Sequence, residues 1–381
     1  MPSRIPGSKT TGTTMMRNPE RATVSSVAKA AKVSRASVYA VLNATKNINI
    51  RVSEKIEKRI LQVADELGYV RNENARMLVT GKTNTIGVML TGMENQFFDP
   101  MLKEIYRIGD GRGYSISVSF SSWDMERERR GISGFCGNRF EGIIWVPITP
   151  GGDDFKRNIG LIESMNIPLL LIGTYEYPES DNRCQVGIRE EESVSTGIEY
   201  LSSLGHRRIG IATATATECR RRNMHEIRLG HMRKLASDAG MIIYDRDIFN
   251  TSDNAYGGVG FAAEILRRPR SSWPTAIFAA DDMLARGLIA GLSCLGVKVP
   301  DQISVLGFDD SPGNETAGIP VTSVSLETAE MGRRSLPLLL DVIERKLPDG
   351  SPQRIILKTR LVERKSCSSP PMNRMTSKEL I

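Results

Sequence analysis

From Thr85 onward, short apolar runs alternate with amphipathic stretches, and no other feature of the chain restricts its fold as much. The runs cover residues 86–90, 116–120, 143–146, 169–172, 209–212, 276–279 and 303–308. Strands that read as near-continuous apolar runs are buried on both faces, the condition of a parallel sheet covered by helices. Seven of them exceed one modest sheet, and the roughly 280 residues of this core region suit two Rossmann-like lobes. The expected class is therefore α/β.

The stretch ahead of this region has a helical period. Val24, Val27, Ala28 and Ala31 fall at i, i+3, i+4 and i+7, with Thr23 placed as N-cap. Lys32 and Val33 make a tight turn, and Ser34 caps a second helix that turns Val38, Val41 and Leu42 inward. Ser53 caps a third, with Ile56, Ile60, Val63, Ala64 and Leu67 as its apolar stripe and Gly68 as its stop. The first two helices and their turn form a helix-turn-helix pattern, so the front of the chain reads as an all-α headpiece.

Charge is concentrated in the same place. Residues 1–82 hold 15 Lys/Arg against 6 Asp/Glu, whereas the remainder holds 36 against 38. A compact basic segment on a near-neutral body points to a polyanionic partner. The second helix is the one placed to enter a major groove. Arg35 can pair bidentately with a guanine edge, and Ala36 and Ala40 can offer apolar contact to a thymine methyl. Thr23, Ser34, Ser37 and Asn43 are short hydrogen-bonding residues suited to phosphates, which position rather than specify.

Several function classes find no support. The five cysteines are scattered without a CxxC pair, which argues against a disulfide framework or a zinc site. Gly109-Asp-Gly-Arg-Gly113 ends a helical segment instead of opening one, so it fails as a dinucleotide loop, and GxxxxGK[ST] does not occur. His206, His225 and His231 lack metal-ligand spacing, and His206 reads as a dipole partner at a helix C-terminus. No cofactor, metal or catalytic set is expected. The apolar runs are too short to cross a bilayer, and the N-terminus lacks an apolar export core, so a cytoplasmic protein is expected.

The run Thr23-Val-Ser-Ser-Val-Ala-Lys-Ala-Ala-Lys-Val-Ser-Arg-Ala-Ser-Val-Tyr-Ala-Val-Leu-Asn43 closely resembles the headpiece of the lactose/galactose repressor (LacI/GalR) family. Leu204-Gly-His-Arg-Arg-Ile209, Pro274-Thr-Ala-Ile-Phe-Ala-Ala-Asp-Asp282 and Val299-Pro-Asp-Gln-Ile-Ser-Val-Leu-Gly-Phe-Asp-Asp310 are similar to that family's core signatures, in the family's order. The resemblance implies a homodimeric transcription regulator, most often a repressor, that reads a near-palindromic operator. It also implies a periplasmic-binding-protein-like core holding a small effector, often a sugar, between its lobes. The family's base-reading positions fall on Arg35, Ala36 and Ala40, and its hinge helix on 72–79, where Ala75, Arg76 and Leu78 would lie in the minor groove with Leu78 as a wedge.

Carboxyl ends of strands are where ligands collect in α/β lobes. They carry Phe97 and Phe98 in the first lobe and Asp281 and Asp309 in the second; with Arg228 these are the expected effector contacts. The family pattern is broken in places. Tyr39 and Ala40 replace a serine and a polar or basic residue, and Arg189-Glu-Glu-Glu-Ser193 replaces an Asp-Asn pair. The effector-binding arginine arrives one position late, at Arg228, with Ile227 in its usual place. The expected organisation is a disordered arm (1–21), the headpiece (22–69), a hinge (70–82), the core (84–365) with lobe crossovers near 183, 324 and 348, and a disordered tail (366–381). A solute-binding protein or sugar-processing enzyme with the same core is the rival reading, disfavoured by the basic headpiece.

Overall fold

The computed structural model describes residues 22–43, 52–70, 81–92, 96–173, 183–214, 222–250, 255–347 and 352–371. The chain divides into two compact units, residues 1–83 and 84–381.

The first unit holds α1 (Val24–Ala31), α2 (Arg35–Asn43) and α3 (Glu54–Glu66). Thr23 caps α1 in a reciprocal box: its Oγ1 accepts from Ser26 N at 3.2 Å, and Ser26 Oγ accepts from Thr23 N at 2.7 Å. Lys32 ends the helix in the left-handed region at φ 52°, and Val33 N–H returns to the Ala28 carbonyl at 3.1 Å. Val27, Ala28, Ala31, Val38, Ile60 and Ala64 make the core. The stripe expected on α3 is only partly used. Ile60 and Ala64 are buried, but Ile56 and Leu67 are exposed, because α1 and α2 are too short to cover the end turns of α3. Ser53 makes no side-chain cap bond.

The second unit is built on two six-stranded sheets. In the first lobe they are β1 (Thr85–Leu90), β2 (Ser115–Phe120), β3 (Gly142–Trp145), β4 (Leu169–Gly173), β5 (Cys184–Gly187) and β11 (Arg354–Ile356), in the order β11-β5-β4-β3-β1-β2 and all parallel. In the second they are β6 (Ile209–Thr213), β7 (Ile248–Asn250), β8 (Ala276–Ala279), β9 (Ser304–Asp309), β10 (Thr322–Ser325) and β12 (Arg360–Val362), in the order β12-β10-β9-β8-β6-β7. Among the described residues only the β10–β12 pair is antiparallel. The helices are α4 (Asp99–Gly111), α5 (Met125–Gly137), α6 (Asp153–Ser164), α7 (Glu190–Ser203), α8 (Arg222–Asp238), α9 (Ala255–Leu266), α10 (Asp282–Cys294) and α11 (Thr328–Ile343). All seven apolar runs became strands. The five further strands carry too little apolar sequence to stand out; β10 reads Thr-Ser-Val-Ser, yet all four residues are buried.

Among the described residues the chain crosses between lobes three times, each time after a strand has finished. The crossings follow β5, β10 and β11, at residues 188–189, 326–327 and 357–359, so the positions near 183, 324 and 348 are corrected; the largest shift comes from the short β11, which the sequence pattern does not reveal. Glu327 stands at the second crossing with φ 55°, and its Oε1 accepts from Arg360 Nε at 2.5 Å, tying the second crossing to the strand that follows the third.

The tail also needs correcting. Residues 366–371 are not loose: Ser366 is fully buried, its carbonyl accepts from Val305 N at 2.8 Å, and its hydroxyl accepts from Thr322 N at 2.8 Å. These bonds satisfy backbone groups of β9 and β10 that would otherwise be stranded.

Candidate nucleic-acid interface and effector cleft

On α2, Ala36 and Ala40 lie opposite the buried Val38, so they face away from the headpiece core. Arg35 and Ala36 are exposed in the first turn. Ser34 Oγ accepts from Ser37 N at 3.0 Å and lies 2.9 Å from Ser37 Oγ. Thr23 and Ser34 thus cap two helix N-termini, with Ser37 bonded to the Ser34 cap, and a helix N-terminus is an end of the helix that suits an anion. Asn43 is the last residue of α2. Ala75, Arg76 and Leu78 lie outside the described residues.

In the second unit the carboxyl ends of the strands converge as the α/β architecture dictates. Asp309 closes β9 with φ 108°, an unusual conformation for a non-glycine residue. Arg228, on α8, is buried; its Cζ lies 3.8 Å from the Phe308 ring centroid and its Nη1 is 3.9 Å from Asp309 Oδ1. The arginine displaced by one position still reaches this end of the sheet. Its Nη1 donates to the Ala280 carbonyl, and its Nε donates to Glu190 Oε1 at 2.5 Å. Asp281 caps α10, its Oδ1 accepting from Leu284 N at 2.8 Å, while its Oδ2 is 3.9 Å from His225 Nε2. Arg228, Asp281 and Asp309 therefore gather at one end of the second lobe.

Phe97 and Phe98 stand after β1 in the first lobe, their ring centroids 4.9 Å apart, edge to face. Phe98 packs into the main core, and Phe97 is half-buried beside it. Asp309 and Asp310, adjacent in sequence, diverge: Asp310 pairs with Arg364 at 2.7 Å. Behind them Asp282 accepts from Ser311 N at 2.6 Å and Ser323 Oγ at 2.7 Å, and burial pushes its carboxyl up to about 7.

Glu190, Thr213 and His225 also lie at this end, and sequence reasoning did not single them out. Glu190 entered the sequence reading only as one letter of Arg189-Glu-Glu-Glu-Ser193, the departure from the family's Asp-Asn pair; its burial sets it apart from Glu191 and Glu192. His206 is corrected as well. It does not face a helix dipole as a cation: burial pushes its imidazole down to about 4, and the neutral ring bridges Thr275 and the Ser368 carbonyl. A cavity of about 420 Å³ lies elsewhere, among Leu169 and Cys184 at the amino ends of β4 and β5 and Val342 on α11.

Among the described residues no helix is long and apolar enough to cross a membrane. Residues 23–72 match the family of bacterial regulatory proteins, lacI family, and residues 198–367 match the periplasmic binding protein-like domain. The chain is 29% identical over 315 residues to the HTH-type transcriptional regulator DegA of Bacillus subtilis (strain 168), covering 82% of this chain and 88% of that one. It is 26% identical over 330 residues to catabolite control protein A of Priestia megaterium, covering 86% and 95%. A solved Lac repressor dimer bound to operator and the anti-inducer ONPF superposes with a TM-score of 0.74 at 22% identity, over 92% of this chain and all of that one. The CelR–cellobiose complex does so with a TM-score of 0.61 at 24% identity, over 91% of this chain and all of that one. With a LacI-type headpiece, a periplasmic-binding-protein-like core and relatives that are transcription regulators along most of its length, the chain belongs to the LacI family of DNA-binding regulators.

Proposed function

We propose that the protein is a cytoplasmic, homodimeric repressor that binds a near-palindromic operator and whose affinity is set by a small effector, a carbohydrate among the candidates, held between the lobes of its core. The observation that carries this is the accessible surface of α2 within a basic segment, where Arg35 and Ala36 are exposed in the first turn and Ala36 and Ala40 lie opposite the buried Val38. Arg35 reads a guanine, the two alanines admit thymine methyls, and the capped N-termini of α1 and α2 take phosphates. Two-fold symmetry of the dimer is mirrored in the operator. Ala75, Arg76 and Leu78 are assigned to the minor groove on the family resemblance.

Phe97, Phe98, Arg228, Asp281 and Asp309 are assigned to the effector. Stacking faces on one lobe and charged groups on the other suit a polyhydroxyl ligand. Three strand-end crossings form the hinge about which such a ligand changes lobe closure, and so the presentation of paired headpieces. The role is binding, not catalysis.

The test is a titration of the full-length protein against its own upstream DNA over a salt series, by mobility shift. Specific retention with a steep negative dependence of affinity on salt is expected. Binding indifferent to both sequence and salt would refute the reading.

A further inference from the structure

Three glutamates open α7, and only one turns inward. Glu191 bonds Lys234 at 2.6 Å and Glu192 bonds Arg189 at 2.9 Å, both at the surface. Glu190 has a side chain only 6% exposed, and its Oε1 accepts from Arg228 Nε. That guanidinium also donates to the Ala280 carbonyl, rests on the Phe308 ring and has Asp309 3.9 Å away. An arginine at a ligand site is the ordinary seat for a carboxylate or phosphate. Here the protein's own carboxylate occupies that seat.

The second oxygen of Glu190, Oε2, is sealed from solvent and has no hydrogen-bond partner among the described residues, and the same holds for Thr213 Oγ1 at the end of β6. β6 pairs with β8, whose end carries Ala280, so Thr213 stands beside the carbonyl that Arg228 uses. A buried carboxylate oxygen without a donor is costly, and it accepts only from a group that brings a proton.

We propose that Glu190 is the specificity-determining residue of the inter-lobe cleft: it fills the anion seat on Arg228 from within, turns acidic effectors away, and offers Oε2 to an O–H or N–H of the ligand. This rests on reading the cleft as the effector site. An incoming carboxylate would meet Glu190 and Asp309 at short range in a poorly screened interior. A hydroxyl or an ammonium would supply the missing donor.

The experiment uses the full-length protein and two variants, Glu190→Ala and Glu190→Ser; both empty the seat on Arg228, and Ser, which keeps a polar side chain there, is the working variant if Ala does not fold. Thermal shifts are read at constant ionic strength with acetate, then with glucose, glucuronate and glucosamine and their galactose-series counterparts. In the variants, acetate and the uronates should give saturable stabilisation, with the uronates gaining about tenfold in affinity, the scale of one charge-assisted hydrogen bond. The unmodified protein should answer to a neutral or amino sugar and to no acid. Acids binding the unmodified protein as well as neutral sugars do, or variants that gain nothing from acetate and uronates, would overturn the assignment. If acetate stabilises the variants but no sugar moves the unmodified protein, the effector reading of the cleft fails and the proposal falls with it.

Discussion

Across 162 residues of sequence, His206 Nε2 donates to the Ser368 carbonyl at 3.0 Å. The other ring nitrogen is 2.9 Å from Thr275 Oγ1, and burial holds the imidazole near 4 instead of 6.5. The unfolded chain takes up this proton around the ordinary value and the native core only near 4. Stability from this group is therefore complete above about 6.5 and is lost as pH falls toward 4, by up to ~3 kcal/mol. Urea unfolding across that window should show the unmodified protein losing stability relative to His206→Gln as pH falls; an identical pH dependence in the variant would contradict the assignment.

Ending the chain after Lys365 should destabilise the core by about 2–5 kcal/mol, because Val305 N and Thr322 N lose their partners on Ser366. Ending it after Pro371 keeps those bonds and serves as the control. Equal melting temperatures for the two truncations would show that the segment adds nothing.

Glu128 is buried in the first lobe, where its Oε2 accepts from Trp145 Nε1 at 3.1 Å and Ile148 N at 3.0 Å. Burial pushes it up to about 7 from 4.5. The native state thus holds a proton the unfolded state releases, and stability falls as pH rises from about 4.5 to 7, by up to ~3 kcal/mol. Glu128→Gln retains an acceptor without the charge, so its denaturation midpoint should gain on the unmodified protein's as pH rises over that range and exceed it at pH 8. A lower midpoint at pH 8 would count against a buried, reluctantly ionised carboxyl.

Helices α9 and α10 meet through glycines. A Cβ at Gly287 would overlap the Ala255 carbonyl, and one at Gly258 the Leu284 carbonyl, and in both cases the obstacle is backbone. Gly287→Ala should cost about 1–3 kcal/mol, the usual penalty of overpacking, whereas Gly260→Ala, which meets nothing, should be neutral or mildly stabilising. Guanidinium midpoints decide, and equal values would show that the helices separate freely.

For Arg35→Ala the expected cost is ~1–3 kcal/mol at a cognate site, concentrated at one base pair. Competition titration over single-base operator variants checks it. A loss spread evenly over all sequences would reduce Arg35 to a phosphate contact.

Local periodicity was enough to place α1, α2 and α3, because each helix has one apolar face and a recognisable cap or stop. It was also enough for the seven strands buried on both faces, whose composition has to be apolar wherever they sit. The outward positions of Ala36 and Ala40 follow from the same helical geometry.

Burial of polar groups depended on partners distant in sequence. Glu190 and its two neighbouring glutamates are alike as letters; only the meeting of α7 with α8 gives one of them a buried arginine. Thr-Ser-Val-Ser became a fully buried strand because Asp282 and the segment 364–366 satisfy its hydroxyls and amides. The inward turn of Arg228, the neutrality of His206 and the anchoring of residues 366–371 arise the same way. A polar residue carries no local signal of the donor or acceptor that permits its burial, so tertiary structure alone decides which polar residues belong to a site.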